Sequence, residues 1–492
     1  MAARERRQTP AFSPRLGLLL GANVIAAVIL IYLLGGEGEK LHAQEIPAQT
    51  VIEPWMTLLV EAESAGGVAT PEGHSALAGA VSNEAPSAPT TSKLETRDAK
   101  LESRVEGHIR KAVAEAKKRS KGKVTASNCR VAVSVVTASG EELVARLASS
   151  ALRPASNMKL VTSAAALASL GADWHFTTDF DSPGQVQAGV LKGDLVIRAG
   201  GDPFFDAQGN GKVGHLFAPA IKALKALGIR EVSGDLVLDE GNYLVPGPGP
   251  GWPAPNQFWQ EHCALAAGLT ANASCLTAVV KPRGVGETAF AELRPHLGGL
   301  VRNGSVKTVS ASSRLDIAVG ATSTKATLRG KIPSSAGEWD QRFSHPDPVG
   351  LFGAVMLEAL QAGGIRVSGQ VRRERGVPEC ATLTRLRTPL ASVLGPINAQ
   401  SNNAVADQLF FALGAELEGA GTRAAGSAAV HSALTQLGVS PKGLSQVDGS
   451  GLSWDDRVTP RQLSSLLSAV LSGSEVWAQL FRDSLAVAGS KG

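Results

Sequence analysis

Cysteine and histidine are scarce in this chain, and neither occurs in a metal-binding pattern. The 492 residues include nine histidines and four cysteines, Cys129, Cys263, Cys275 and Cys380. No Cys-x-x-Cys is present and no pair of histidines has zinc-binding spacing, so the sequence predicts no metal site. Cys263 and Cys275 could close a small disulfide loop in an oxidising compartment, and two buried thiols are the alternative. Spacing alone does not decide between them.

A large net charge is also absent. Lys and Arg number 48 against 44 Asp and Glu, which gives a formal net charge of +4. No run of basic residues is interleaved with aromatic ones, so the sequence gives no support to nucleic-acid binding. A hydrophobic fraction of 43% and a charged fraction of 19% are typical of globular proteins, and the length predicts two or three domains.

One long apolar run is present, at residues 16–34. As a helix it would span about 30 Å, the thickness of a bilayer core. Arginines precede the run, so the positive-inside rule predicts a transmembrane anchor with residues 1–15 as a cytoplasmic basic tail. The alternative is a cleaved signal peptide, for which Leu41-His42-Ala43 is a weak cleavage site and the apolar run is long. In both cases we expect the body of the protein to be exported.

The segment at 35–97 is rich in Ala, Pro, Ser, Thr, Gly and Glu. Because such a composition buries little apolar surface, we expect a flexible exported linker. The remainder divides by pattern into three parts. Residues 98–179 and 346–492 are predicted to form one domain that carries the motifs described below. Residues 180–345 are predicted to form an α+β insertion within that domain.

Apolar periodicity predicts the elements of each part. The first part has a predicted helix at 98–118, strands at 130–138 and 142–148, and a helix at 160–170. The insertion has short strands, such as 193–197 and 234–238, and a helix at 215–227. The last part is predicted to be helical at 349–362, on both sides of residue 401, at 424–437 and at 459–471.

A Ser-x-x-Lys motif, Ser156-Asn157-Met158-Lys159, lies where the predicted helix at 160–170 begins. Serine needs a base within hydrogen-bond reach to act as a nucleophile, and residues i and i+3 share one face of a helix. Lys159 could be that base if burial or neighbouring cations lower its pKa. The motif alone is weak, since Ser120 and Lys123 have the same spacing in a charged stretch.

Ser401-Asn402-Asn403 is the one Ser-x-Asn in the chain. Its plain interpretation is a helix cap, because Ser and Asn are favoured at helix N-termini. Its functional interpretation is a polar loop in which Ser401 relays a proton and Asn403 orients a substrate and Lys159.

In this order and with these flanks, the chain resembles the low-molecular-mass class C penicillin-binding proteins, which are D-alanyl-D-alanine carboxypeptidases and endopeptidases. The resemblance runs from about residue 130 to the end. Further matching segments are Gly201-Asp202-Pro203, Leu227–Asp235, Asp448-Gly449-Ser450-Gly451-Leu452-Ser453 and Ser484–Gly489. The long separation of Ser156 from Ser401 fits the inserted region of this family and argues against a β-lactamase.

The resemblance implies an α+β fold: a penicillin-binding, β-lactamase-like transpeptidase domain with helices around an antiparallel sheet and a large insertion between the first two motifs. It implies a serine peptidase of peptidoglycan stem peptides that works without a cofactor and is inhibited by β-lactams. By the same resemblance Ser156 is the nucleophile, Lys159 the base, Ser401 the proton relay and Asn403 the substrate-orienting amide. The expected location is the periplasm, with the chain anchored in the cytoplasmic membrane.

The third motif of that family, Lys-Thr/Ser-Gly, does not occur after Ser401. By the resemblance, its strand binds the substrate carboxylate and supplies one oxyanion-hole donor, the loss of which typically costs about 10²–10³ in rate. We therefore expect the C-terminal strands of the sheet to be missing, and the 492-residue chain to be truncated and weakly active or inactive. The alternative function is a non-catalytic peptidoglycan-binding or scaffolding protein with the same fold.

Overall fold

The computed structural model of the chain describes residues 55–62, 99–122, 129–205, 213–295 and 301–487. The chain divides into two compact units, residues 1–150 and 151–492. The predicted anchor at 16–34 lies outside the described residues. Within the described ranges, no helix is long and apolar enough to cross a membrane.

The first unit combines one helix with a three-stranded antiparallel sheet in the order β1-β2-β3. Its elements are β1 (Trp55–Ala62), α1 (Ala99–Arg119), β2 (Cys129–Val136) and β3 (Glu142–Arg146). The apolar face of α1, with Val105 and Ile109, shares a core with Val131, Val133 and Val144 of the strands. The predicted helix and the two predicted strands are confirmed.

Strand β1 lies inside the segment that we expected to be a flexible linker. It pairs along its whole length with β2, from Trp55 opposite Val136 to Ala62 opposite Cys129. The local sequence Trp-Met-Thr-Leu-Leu-Val contains residues that favour strands. The prediction missed this strand because it used the average composition of residues 35–97.

The helical part of the second unit is built around α2 (Met158–Leu170). This helix is Ala-rich and buried on most of its surface, and it packs against all five of the described helices that follow the insertion. Those five are α5 (Ala391–Asn398), α6 (Asn403–Glu418), α7 (Arg423–Gln436), α8 (Pro460–Leu471) and α9 (Val476–Ser484). The predicted helices at 424–437 and 459–471 are confirmed as α7 and α8. Helix α9 was not predicted, and its last residue, Ser484, begins the family segment Ser484–Gly489.

The rest of the second unit contains four sheets and two helices. The largest sheet has five strands in the order β18-β9-β7-β4-β19, in which β7 runs parallel to β9 and β19 antiparallel to β4. Its strands are β4 (His175–Ser182), β7 (Leu195–Arg198), β9 (Leu236–Asp239), β18 (Val371–Glu374) and β19 (Ala381–Pro389). The two helices, which pack near it, are α3 (Ala218–Ala226) and α4 (Pro348–Ala362).

Three smaller sheets complete this region. They have the orders β17-β8-β6-β5, β11-β10-β16 and β12-β15-β13, with β14 also paired to β15. Their strands are β5 (Gln185–Gln187), β6 (Val190–Lys192), β8 (Glu231–Val232), β10 (Cys275–Lys281), β11 (Phe290–Arg294), β12 (Val301–Asn303), β13 (Val306–Val309), β14 (Asp316–Ala321), β15 (Lys325–Pro333), β16 (Trp339–Ser344) and β17 (Arg366–Val367).

One hydrophobic core joins these strands to α3 and α4, with Phe204, Phe217 and Phe352 in mutual ring contact. The sheet of the insertion therefore begins at His175 and ends at Pro389, outside the boundaries of 180 and 345 that the sequence predicted. Strands β18 and β19 are largely polar and exposed, so their sequences carry little of the apolar signal on which the boundary was based.

The cysteines that the structure describes are all free thiols. Cys263 and Cys275 are both buried, which corresponds to the second of the two alternatives for this pair.

Candidate active site

Ser156 lies in a single 3₁₀ turn, Ala155–Asn157, that leads directly into α2. Within this turn the Asn157 side-chain amide donates to the Pro154 carbonyl oxygen, at 2.9 Å. The Ser156 side chain is exposed, whereas Lys159, one turn later, is 1% exposed. Their spacing brings the Lys159 Nζ within 3.2 Å of the Ser156 Oγ. The predicted nucleophile and base are therefore in hydrogen-bond contact, with the serine open to a substrate.

The Lys159 amine has two further partners, both of them oxygen acceptors. Its Nζ lies 2.7 Å from the Asn403 Oδ1 and 2.9 Å from the Ser450 carbonyl oxygen. Neither oxygen can donate a proton. When the amine is neutral, its two protons go to these oxygens, and its lone pair is left facing the Ser156 hydroxyl. The site thus directs the basic electron pair of Lys159 toward the serine proton.

Burial lowers the pKa of Lys159 to about 8, against the opposing influence of Asp407, Asp448 and Asp456, which raise it. A lysine in water has a pKa of about 10.4 and carries almost no neutral amine at neutral pH. The low-dielectric surroundings therefore bring the pKa of Lys159 close enough to neutral pH for part of the amine to be neutral and able to accept a proton.

Asn403 is oriented by a second contact. It is the first residue of α6, and Asn402 caps this helix by accepting a hydrogen bond from the Val405 N–H at 3.1 Å. The Asn403 Nδ2 donates to the His262 carbonyl oxygen at 3.0 Å, which turns its Oδ1 toward Lys159. Asn402 is thus a helix cap and Asn403 a partner of the lysine, while the roles of Ser401 as proton relay and of Asn403 toward a substrate stay predictions.

Ser401 is exposed and has a φ of +57°, a left-handed conformation that costs a non-glycine residue energy. Among the described residues, its hydroxyl makes no hydrogen bond to Ser156 or Lys159. Of the four predicted residues, the structure thus joins Ser156, Lys159 and Asn403 by hydrogen bonds, and Ser401 is outside this set.

The loop at 448–453 is a part of the site to which the sequence assigned no role. The Asp448 carboxylate accepts hydrogen bonds from the backbone N–H groups of Ser450, Gly451, Leu452 and Ser453, at 2.7–3.2 Å. The same carboxylate also accepts from the Ser450 hydroxyl and from the Trp252 indole, each at 3.0 Å. The loop wraps around this side chain and presents the Ser450 carbonyl oxygen to Lys159. The Asp-Gly-Ser-Gly sequence is a turn signal, but it does not indicate which side chain the turn serves.

Two glycines allow this loop to lie against the elements that carry the motifs. A Cβ atom at Gly449 would lie 2.3 Å from the carbonyl oxygen of Ala406, on α6. A Cβ atom at Gly451 would lie 1.8 Å from the carbonyl oxygen of Ala155, beside the nucleophile. Glycine is therefore required at both positions by close approach of backbone.

This arrangement can perform nucleophilic chemistry by proton transfer from an exposed serine to a buried lysine, with an amide beside both. Across the ranges that the structure describes, no group of three or more His, Cys, Asp or Glu side chains is placed to hold a metal ion.

Comparison with known proteins agrees with this geometry. The model of the D-Ala-D-Ala carboxypeptidase 3 (S13) family matches residues 111–492. A D-alanyl-D-alanine carboxypeptidase of Actinomadura sp. (strain R39) is 35% identical over 377 residues, which cover 73% of this chain and 67% of that protein. The D-alanyl-D-alanine carboxypeptidase DacB of Haemophilus influenzae is 25% identical over 332 residues, which cover 65% of this chain and 66% of that protein. The chain thus spans about two thirds of the length of these relatives.

Solved structures share the fold. The crystal structure of penicillin binding protein 4 (dacB) from Haemophilus influenzae aligns with a TM-score of 0.60 and 25% identity, over 72% of this chain and 77% of that one. A second crystal structure of the same protein, complexed with a β-lactam, aligns with a TM-score of 0.55 and 23% identity, over 72% and 76% of the two chains.

We predict that Gly451→Ala destabilises the fold more than Gly443→Ala does. Both glycines have nearly the same φ, +81° and +82°, but the space around the Gly443 Cβ position is empty. Gly443→Ala should cost only the left-handed strain of about 1–2 kcal/mol. Gly451→Ala should cost about 1–3 kcal/mol more, because the Ala155 backbone must move. Denaturant unfolding of the two variants measures the difference, and equal costs would contradict the close approach.

Proposed function

Because the chain belongs to the D-Ala-D-Ala carboxypeptidase 3 (S13) family, we propose that it is a penicillin-binding serine peptidase that acts on peptidoglycan stem peptides through an acyl-enzyme on Ser156. The observation that carries this proposal is the contact of the exposed Ser156 hydroxyl with the buried Lys159 amine, whose other partners are both acceptors. The proposed activity needs no cofactor.

In the proposed reaction, the Ser156 Oγ attacks the carbonyl carbon of the penultimate D-alanine while its proton passes to the Lys159 Nζ. The carbon–nitrogen bond to the terminal D-alanine then breaks, and the leaving amine takes up a proton. We assign the relay of that proton to Ser401, which lies exposed beside Asn403. Water then attacks the ester carbonyl with the lysine again as base, which releases the shortened peptide and restores the serine. A β-lactam would acylate the same oxygen.

Asn403 has two roles in this proposal. Its Oδ1 holds one proton of the Lys159 amine, so that the lone pair keeps its direction toward Ser156. We also assign to its amide the role of orienting the substrate peptide. Whether carboxypeptidase or endopeptidase cleavage dominates depends on which leaving group the site admits.

We predict that a fluorescent penicillin labels the purified chain and that Ser156→Ala abolishes the label. Ser120→Ala is the matched control, because Ser120 begins the other Ser-x-x-Lys and should leave the label intact. Gel fluorescence measures the label, and the release of D-alanine from a stem peptide measures turnover.

An unlabelled chain that is folded by circular dichroism would contradict the enzymatic proposal. It would favour the non-catalytic peptidoglycan-binding alternative, which retains the fold without the chemistry. Label that persists in Ser156→Ala would show that a different nucleophile reacts.

We predict that the rate of acylation rises with pH through about 8, the lowered pKa of Lys159. The sign follows from the chemistry, since only the neutral amine can take the serine proton: the rate is lost below this pKa and constant above it. Stopped-flow measurement of penicillin acylation gives the profile. Lys159→Arg keeps the positive charge and cannot be deprotonated in this range, so it should be inactive at every pH. A rate that does not change between neutral and alkaline pH would refute Lys159 as the base.

We also propose that the chain resides in the periplasm and is anchored in the cytoplasmic membrane by residues 16–34. The support is the sequence alone: an apolar run of bilayer length that follows a cluster of arginines. We predict that the chain, expressed in a bacterial host, sediments with membranes and is released by detergent. A variant without residues 1–34 should not be exported. Intact mass spectrometry provides the decisive measurement, because a soluble product that begins shortly after residue 43 would indicate a cleaved signal peptide instead.

A further inference from the structure

Three aspartates are buried around the Lys159 amine. Asp407 lies on α6 and is 3% exposed, Asp448 in the loop at 448–453 is 1% exposed, and Asp456 is 0% exposed. Each would favour a charged lysine if it were ionised. Three ionised carboxylates beside Lys159 would oppose the neutral amine that the proposed reaction requires. The number of ionised aspartates therefore affects how readily Lys159 becomes neutral.

Hydrogen bonding separates the three aspartates. Asp448 accepts six hydrogen bonds, four from backbone N–H groups, one from the Ser450 hydroxyl and one from the Trp252 indole. All six point donors at its two oxygens. Donors therefore face both Asp448 oxygens, and a proton on either oxygen would leave one of these donors without an acceptor.

Asp407 and Asp456 have fewer donors than Asp448: the Ser450 side chain faces Asp407, and the backbone N–H groups of Val447 and Asp448 face Asp456. Among the described residues, the Asp407 Oδ1 and the Asp456 Oδ2 are buried without a hydrogen-bond partner. The Asp456 Oδ1 accepts from the Val447 N–H at 2.7 Å. Burial first, and the charge of Asp448 second, raise the pKa of Asp407 well above its ordinary value and that of Asp456 to about 9.

The charged groups that face Asp407 come from three neighbouring elements. They are Lys159 of α2, Arg423 of α7 and Asp448 of the loop, with Asp456 nearby. The Arg423 guanidinium donates to the Gly247 carbonyl oxygen at 2.7 Å and lies over the rings of Phe411 and Trp252. It is thus held by partners other than Asp407, and neither cation is a hydrogen-bond partner of the Asp407 Oδ1.

We propose that Asp448 is the positioning residue of Lys159 and the one anion of this buried cluster, while Asp407 and Asp456 are held in their neutral, protonated forms. The Asp448 carboxylate folds the loop so that the Ser450 carbonyl oxygen meets the amine at 2.9 Å. A single negative charge holds the lysine in place without forcing it to remain protonated. This assignment rests on the proposed function, because it concerns the base of the proposed reaction.

The test compares Asp448→Asn with Asp407→Asn by the pH dependence of penicillin acylation. Asp407→Asn replaces a neutral acid by a neutral amide, so the pH midpoint should equal that of the wild type. Asp448→Asn removes the negative charge and weakens the hydrogen bonds that fold the loop at 448–453. Its midpoint should move to lower pH, and its plateau rate should fall by about 10²-fold through misplacement of Lys159. A merely structural role for Asp448 would lower the amount of active protein but leave the midpoint in place.

Two outcomes overturn the proposal. The first is a midpoint in Asp407→Asn that moves to lower pH as far as that of Asp448→Asn, because Asp407 would then be ionised in the wild type. The second is an Asp448→Asn variant with an unchanged midpoint and plateau. Asp455→Asn is the matched control, since Asp455 is exposed in the same stretch of chain. If Asp448→Asn does not fold, Trp252→Phe removes one of the six hydrogen bonds and should lower the plateau by a smaller factor.

A second readout separates this inference from the proposed function. If the wild type is not acylated at any pH, the proposed function fails, and thermal unfolding still tests the charge assignment. An Asp whose folded-state pKa is raised contributes stability that is complete at acidic pH and is lost as pH rises through the folded pKa. Asp407→Asn should therefore unfold at a higher temperature than the wild type at pH values well above the ordinary Asp pKa, and Asp448→Asn at a lower one. A lower unfolding temperature for both variants would overturn the assignment.

Discussion

The structure depends on a lysine amine that is removed from water and held between two oxygens that can only accept protons. The Asn403 Oδ1 comes from α6 and the Ser450 carbonyl oxygen from the loop that follows α7. An amine in this position can exchange its proton only in the direction of Ser156. In the proposed reaction, the direction of proton transfer thus follows from the hydrogen bonds of the Lys159 amine to Asn403 and Ser450.

This constraint explains several features of the helical part of the second unit. Helix α2 packs against the helices that follow the insertion, and this packing removes Lys159 from water. The two glycines of the loop remove side chains where backbone must reach α6 and the nucleophile turn. The non-glycine residues Ala155 and Ser401 both have positive φ and both adjoin motif residues. Such strain is tolerated where the surrounding packing fixes the chain.

All the described helices after the insertion except α9 could be predicted from the sequence, as could the contact of Lys159 with Ser156 and Asn403, since apolar periodicity and two motifs are local signals. Helix α4 likewise follows directly from its apolar repeat. The extent of the inserted sheet could not, because β18 and β19 are polar edge strands whose place depends on pairing with distant partners. The role of Asp448 was equally hidden. The sequence around Asp448 predicts a turn, but the contact between this loop and Lys159 depends on tertiary packing.

The parts of the site are far apart along the chain. The Lys159 partners Asn403 and Ser450 lie 244 and 291 residues further on. Before the last helices dock, the lysine is in water with an ordinary pKa of about 10.4 and is protonated at neutral pH. During synthesis, and during any passage across a membrane in extended form, Ser156 therefore has no base and is as unreactive as any other serine. In the proposed reaction, Ser156 therefore becomes reactive only after the segments that carry Asn403 and Ser450 have folded against α2.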